Sequence, residues 1–262
     1  MPVRVCSIVF VLAVAAASPA LAQTPPAAPA QAPAAPQAPP PPPPSPWKTT
    51  FGAGLTLTSG NSNTSTFNAS YGIQYDAKKR NVFKSDGLYI RGTSEGESSA
   101  NRIGFTARDQ YQINGHAYVF GQTQYLHDEF KDIDYLIAPT SGLGYNVIDV
   151  PQKTSLAIDL GVGGVWEKDT GLDVRSSGAV TFGERFSHAI TTASTLTQGL
   201  TGLWPTNDFG DYLLTLNAGF SASVSSRTQL KLEWLDTYKN IPAVEGIKKN
   251  DVSVLIALVF KS

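Results

Sequence analysis

DVSVLIALVFKS, residues Asp251–Ser262, alternates in a way that constrains the whole chain. Successive side chains of an extended strand point to opposite faces, so Val252, Val254, Ile256, Leu258 and Phe260 share one face. Ser253, Leu255, Ala257, Val259 and Lys261 share the other, which is mixed. A soluble sheet needs a second layer over such an apolar stripe, whereas a membrane barrel turns it to lipid. Similar segments recur from Trp47 onward. They predict an all-β fold over 47–262: a transmembrane antiparallel up-and-down β-barrel of about 12 strands, closed by Asp251–Ser262.

The segment before Trp47 has a different character. Met1–Ala22 carries the basic Arg4, an apolar stretch from Ile8 to Ala17, and Ala20-Leu21-Ala22. That is the pattern of an export signal with cleavage after Ala22, and its apolar stretch is shorter than the roughly 20 residues a membrane helix needs. The single cysteine, Cys6, lies inside it, so the cleaved chain is expected to lack disulfides and a lipid-anchoring thiol. Residues 23–46 are mostly Ala, Pro and Gln and end in the run Pro39–Pro44. With no large apolar side chain to bury, they are expected to be a disordered or polyproline II linker. A stiff spacer fits better than a ligand for a periplasmic proline-reading partner, because no charged or aromatic residue interrupts the prolines.

Charged residues make up 16% of the chain, against about 25% in soluble domains, yet the mean hydropathy is only −0.10. Alternating lipid-facing and lumen-facing residues average to such values. The net charge of −1 gives no footprint for nucleic acid. No apolar run after the signal is long enough for a helical span. The expected location is the outer membrane, with its lipids and the barrel-assembly machinery, engaged through the last strand, as partners.

The period of two predicts strands at Lys48–Thr58, Thr64–Asp76, Val82–Gly92, Ser99–Ile113, Ala117–Phe130, Leu136–Ile148, Thr154–Glu167, Asp173–Ser187, Ile190–Leu203, Tyr212–Val224, Thr228–Tyr238 and Asp251–Ser262. In the third of these, Lys84 and Asp86 share a parity with Leu88 and Ile90, so neither face reads as clearly apolar. Asn114-Gly115 signals a tight hairpin, and Pro139, which cannot donate to a ladder, predicts a bulge. Aromatic residues near strand ends suggest two interfacial girdles, Trp47, Tyr75, Tyr118, Phe186 and Phe260 at the inner one and Trp166, Trp204, Tyr212 and Trp234 at the outer.

Parity also selects candidate functional residues. Arg102, Arg108, Asp159, Glu167, Arg175, Lys231 and Glu233 are assigned to the lumen, where charges must be watered or paired. Asp128, Glu129, Asp132 and Asp134, beside His127, form an acidic cluster at one outer hairpin. Such a rim is most simply a solvated turn, since alternation sends His127 and Asp128 to opposite faces. His116, His127 and His188 have no reason to converge on a metal, and no nucleophile motif appears. No catalytic residue, metal or cofactor is therefore expected. Two readings of the interior remain: a narrow, weakly selective channel for ions or small solutes, or a non-conducting barrel serving envelope structure or stress. A barrel hydrolase lacks a catalytic constellation.

Several motifs in order carry a family resemblance. They are Thr58-Ser59-Gly60-Asn61-Ser62, the stretch Tyr118–Asp149 with its D-x-F-x-x-I-D-Y turn and G-L-G-Y, Asn240-Ile241-Pro242, and Lys248-Lys249-Asn250-Asp251. Over Trp47–Phe260 the chain resembles the YdiY-like, salt-induced outer-membrane protein family, a domain of unknown function. Ala138-Pro139-Thr140 and the terminal Lys261-Ser262 depart from the family's pattern. The resemblance implies a barrel in the outer membrane and no established substrate.

Overall fold

A computed structural model describes residues 45–58, 64–77, 79–94, 96–242, 246 and 248–262. The expected signal at 1–22, nearly all of the linker at 23–46 and the first turn at 59–63 lie outside the described residues. The strands are β1 (Trp47–Thr58), β2 (Thr64–Asp76), β3 (Asn81–Ser94), β4 (Glu97–Gln112), β5 (Ala117–Asp128), β6 (Ile133–Val150), β7 (Thr154–Asp169), β8 (Arg175–Ala189), β9 (Ser194–Pro205), β10 (Leu213–Ser223), β11 (Thr228–Lys239) and β12 (Asn250–Lys261). Each pairs antiparallel with the next, and β12 pairs with β1, closing a 12-stranded barrel. Every strand has at least 11 residues, enough for the roughly 9–11 that a tilted membrane strand requires. No helix among the described residues is long and apolar enough to cross a membrane.

The register fixes which way each residue faces, because directly opposed residues of an antiparallel pair point to the same side. On β12, Val254 is 62% exposed and its neighbour Leu255 only 3%. Leu143, Leu160, Val162, Leu232 and Ile256 are likewise exposed, so the outside of the barrel is an apolar band. Aromatic pairs sit at its edges. At the inner end, which bears the short turns at 113–116, 151–153, 190–193 and 224–227, the Trp47 ring lies 4.7 Å from that of Tyr75 and His116 stacks on Tyr145. At the opposite, outer end, Tyr212 packs between Trp204 and Tyr238. Tyr118 does not belong to the girdle: its parity is inward, and it is wholly buried in the lumen.

Other local expectations change for identifiable reasons. Pro139 causes no bulge; β5 and β7 keep one register past it, from Thr123↔Pro139 and from Ile137↔Trp166 to Thr140↔Gly163. A missing N–H removes one ladder bond without requiring an extra residue. The register shifts fall elsewhere, between Gly92 and Thr93, between Leu126 and Asp128, between Ile133 and Tyr135, and between Asn146 and Ile148. The strand expected to reach Phe130 ends at Asp128 in a 3-10 turn, Glu129–Lys131, and Asp132 takes a left-handed φ of 59°. Ile190 belongs to a turn rather than to β9, since its N–H bonds the Ser194 carbonyl at 3.0 Å. The Asn114 side chain closes its own turn by accepting from His116 N and Ala117 N, which makes the hairpin wider than a two-residue one.

Candidate functional site in the barrel lumen

The register places Arg102, Arg108, Asp159, Glu167, Arg175, Lys231 and Glu233 on the inward face. They divide into two groups by height. In the inner half, Asp159 on β7 is the centre. It accepts from Arg108 Nη2 at 3.0 Å and from the Tyr118 hydroxyl at 2.6 Å, and it pairs with Arg185. Arg185 also donates to Tyr118 Oη at 2.9 Å, and the Arg108 guanidinium lies 3.9 Å from the centroid of the Phe120 ring. The Tyr118 ring crosses its register partner Gly144, where a Cβ would collide with that ring and with Asp159. Gly144 is thus required by close approach.

The inner half is wetter along β3 and β11. Lys231 pairs with Glu233 at 2.7 Å, and Lys84 and Asp86 remain exposed while pointing into the lumen. The mixed parity of β3 is therefore real: two charged residues near the inner end and Leu88 and Ile90 above them all face inward. Lys84 stands directly opposite Arg108 in the ladder.

The outer half is crossed by ionic bridges, some of them between distant strands. Lys239 on β11 reaches Glu167 on β7 at 2.6 Å and Asp211, in the β9–β10 connection, at 3.0 Å. Arg175 joins Asp169 at 2.7 Å and Asp211 at 3.1 Å. Arg102 on β4 bonds both Asp128 at 3.0 Å and Thr237 of β11 at 2.6 Å. Lys131, in the turn after β5, is fully withdrawn from water. Its Nζ meets the Lys248 and Lys249 carbonyls and, at 2.8 Å, Asp251. Apolar side chains cluster beside these bridges: Leu126, Leu136, Val165 and Leu203 on one side, and Ile90, Leu235 and Leu255 on the other.

The outer acidic cluster is split by these contacts. Asp128 is not on the rim, because its parity matches Arg102 and it is buried beside it. Glu129 is exposed and accepts from Asn101 at 2.6 Å, Asp134 pairs with Lys168 at 3.4 Å, and Asp132 shapes the turn. His127 bonds the Asp134 carbonyl, His116 the Asn146 carbonyl and His188 the Thr154 hydroxyl. Among the described residues, no group of three or more His, Cys, Asp or Glu is placed to hold a metal ion. Sequence parity could have found Lys84, Asp86, Arg185 and Lys239, which continue the inward alternation of their strands. Nothing in the sequence indicates that the turn residues Lys131 and Asp211 fold into the mouth.

This architecture defines a class: a transmembrane antiparallel β-barrel with a charged, largely paired interior. The family model described as "Protein of unknown function, DUF481" matches residues 51–261, and the chain belongs to that family. No curated protein matches it. Among solved structures it is similar to the NanC porin, at 9% identity and a TM-score of 0.46, over 82% of this chain and 97% of that one. It is also similar to the COG4313 outer membrane channel from Pseudomonas putida F1, at 10% identity and a TM-score of 0.45, over 82% of this chain and 93% of that one. A third similar structure is the KdgM porin, at 10% identity and a TM-score of 0.40, over 82% of this chain and 96% of that one.

Proposed function

We propose that this protein is an outer-membrane channel, with a narrow, weakly selective path for ions or small solutes that is shut at its outer end in the state described. The outward apolar band supports the membrane location, and the family-like motifs support the finer assignment to its YdiY-like, salt-induced members. One observation carries the channel reading. The outer lumen is crossed by charged groups that reach distant strands, Lys239 on β11 to Glu167 on β7 and Arg102 on β4, paired with its neighbour Asp128, to Thr237 on β11. Packed apolar residues of similar volume often stabilise a protein as well as buried ion pairs, or better. Bridges of this kind can exchange partners for water, whereas an apolar plug cannot. Mixed signs along the wall favour little preference between anions and cations.

The apolar clusters around Leu136 and Leu235 favour the second reading, a non-conducting barrel with an envelope role. On either reading the partners are outer-membrane lipids and the assembly machinery at β12, and the protein is not an enzyme. Planar-bilayer recording separates the two. Discrete small openings with weak ion preference are expected, more frequent once Lys239→Met removes a bridge. A folded barrel that stays silent in both forms would leave the envelope role.

A further inference from the structure

The β1–β12 seam differs from every other pairing in the barrel. β1 is joined to β2 along its whole length, from Trp47↔Tyr75 to Thr58↔Thr64, and β12 to β11 from Thr228↔Phe260 to Tyr238↔Asn250. Between β1 and β12 the ladder covers only Thr50↔Lys261 to Ala53↔Leu258. Among the described residues, no pairing joins Gly54–Thr58 to Asp251–Ala257. A membrane barrel normally abolishes its edges, because backbone groups left unpaired in lipid cost several kcal/mol each.

The end of the ladder is finished by a side chain. Asn68, only 2% exposed on β2, extends its Nδ2 to the Ile256 carbonyl at 3.4 Å. It reaches that carbonyl past Gly54, where a Cβ would strike Ile256 O and the Asn68 amide. Against the unpaired stretch of β12 lies a cavity of about 140 Å³, lined on that side by Asp251, Val252 and Ser253. Ile90, Ala100 and Leu235 form its apolar side, and Arg102, Asp128, Thr237 and Asp251, the last paired with Lys131, its polar side. A cavity of roughly this volume has room for a molecule such as benzene. At the polar end, the Arg102–Asp128 pair cancels its own charge while offering both a donor and acceptors.

From this juxtaposition we infer that the outer half of the β1–β12 seam is a lateral portal, through which a small neutral amphiphile passes between the outer leaflet and the lumenal cavity. The molecule has an apolar body about the size of one ring and a hydroxyl or amide head. The apolar wall takes the body, and the compensated Arg102–Asp128 pair takes the head in preference to an ion. This rests on the membrane-barrel reading and adds a route that bypasses the closed outer end.

The test uses the full chain in lipid nanodiscs with 4-fluorobenzyl alcohol, followed by fluorine NMR, in a Cys6→Ser background. Continuing the seam's register would set Leu55 opposite Ile256, so the pair Leu55→Cys and Ile256→Cys can lock the seam shut. The wild-type seam should bind the probe saturably. Oxidising the double variant should slow exchange at least tenfold, and reduction should restore it. Leu235→Arg, or the milder Leu235→Phe if the first does not fold, should weaken binding at least tenfold by filling the cavity. Absence of saturable binding, exchange as fast in the locked as in the reduced barrel, or a cysteine pair that never crosslinks would each overturn the portal. Bilayer recordings on the same samples keep the two proposals apart: conduction without binding sinks only the portal, and binding without conduction sinks only the channel.

Discussion

Lys239 Nζ lies 2.6 Å from Glu167 Oε1, a contact that ties β11 to β7 across the outer end of the lumen. Both side chains are at least 95% withdrawn from water, and Asp211 shares the ammonium at 3.0 Å. Removing one partner from such a set leaves uncompensated charge in a dry site. Lys239→Met is therefore expected to lower stability by about 3–5 kcal/mol, and adding Glu167→Leu should recover part of that loss. Urea titrations of the three proteins folded into vesicles measure both effects. Equal stability of wild type and Lys239→Met would mean that the mouth is already hydrated.

The outward face of β11 gives a second prediction. Leu232 points to the apolar exterior near the middle of its strand, between Phe220 and Ile256. An arginine near the membrane midplane costs about 2–4 kcal/mol, so Leu232→Arg should fold into lipid less stably by that amount. Lys231→Leu, on the wet inward wall, removes a partly exposed pair and should cost no more than about 1 kcal/mol. Comparable losses at both positions would contradict the assigned faces of β11.

The reach of the sequence is visible in that same strand. Lys231 and Glu233 can be assigned inward from alternation alone, since a strand period of two leaves no choice once Leu232 and Trp234 face lipid. The number of strands follows from the same period repeated. Parity does not give depth or partner. Tyr118, near a strand end, looks like an interfacial aromatic, yet it spans the lumen floor because Gly144 opposite leaves space for its ring. Asp128 looks like a rim acid because the 3-10 turn that ends β5 one residue later has no local signature. The early end of the β1–β12 ladder depends on how the two ends of the chain meet, which no local pattern records.

A third prediction concerns Asp132, in the turn after β5, and Asp134 at the start of β6. The Asp134 carboxylate makes an exposed contact with Lys168, and Asp132 holds a left-handed backbone. Asparagine tolerates that conformation and a β-branched residue does not. Converting both to Asn should leave stability unchanged and reduce cation preference only slightly, an effect lost at high salt. Asp132→Val should instead destabilise the turn and the Lys131 contact that follows from it. Thermal unfolding together with reversal potentials at two salt concentrations distinguishes the cases. A large, salt-resistant shift in selectivity from the Asn pair would place the turn closer to the path than its exposure indicates.

The inner lumen supplies the strongest test of selectivity. Asp159 is the carboxylate shared by Arg108 and Arg185, and Lys84 stands beside Arg108 in the ladder. Asp159→Asn keeps the shape and the contact with Tyr118 but leaves three cations around the inner half of the path. Anions should then be preferred, and the reversal potential in a salt gradient should move in the anion-selective direction, most at low salt. Adding Arg185→Gln should return the preference towards that of the wild type and relieve the repulsion between the two guanidinium groups. If Asp159→Asn folds and conducts with unchanged ion preference, permeating ions do not pass the Arg108–Asp159–Arg185 cluster, and the path must run along the opposite wall by Asp86, Lys231 and Glu233.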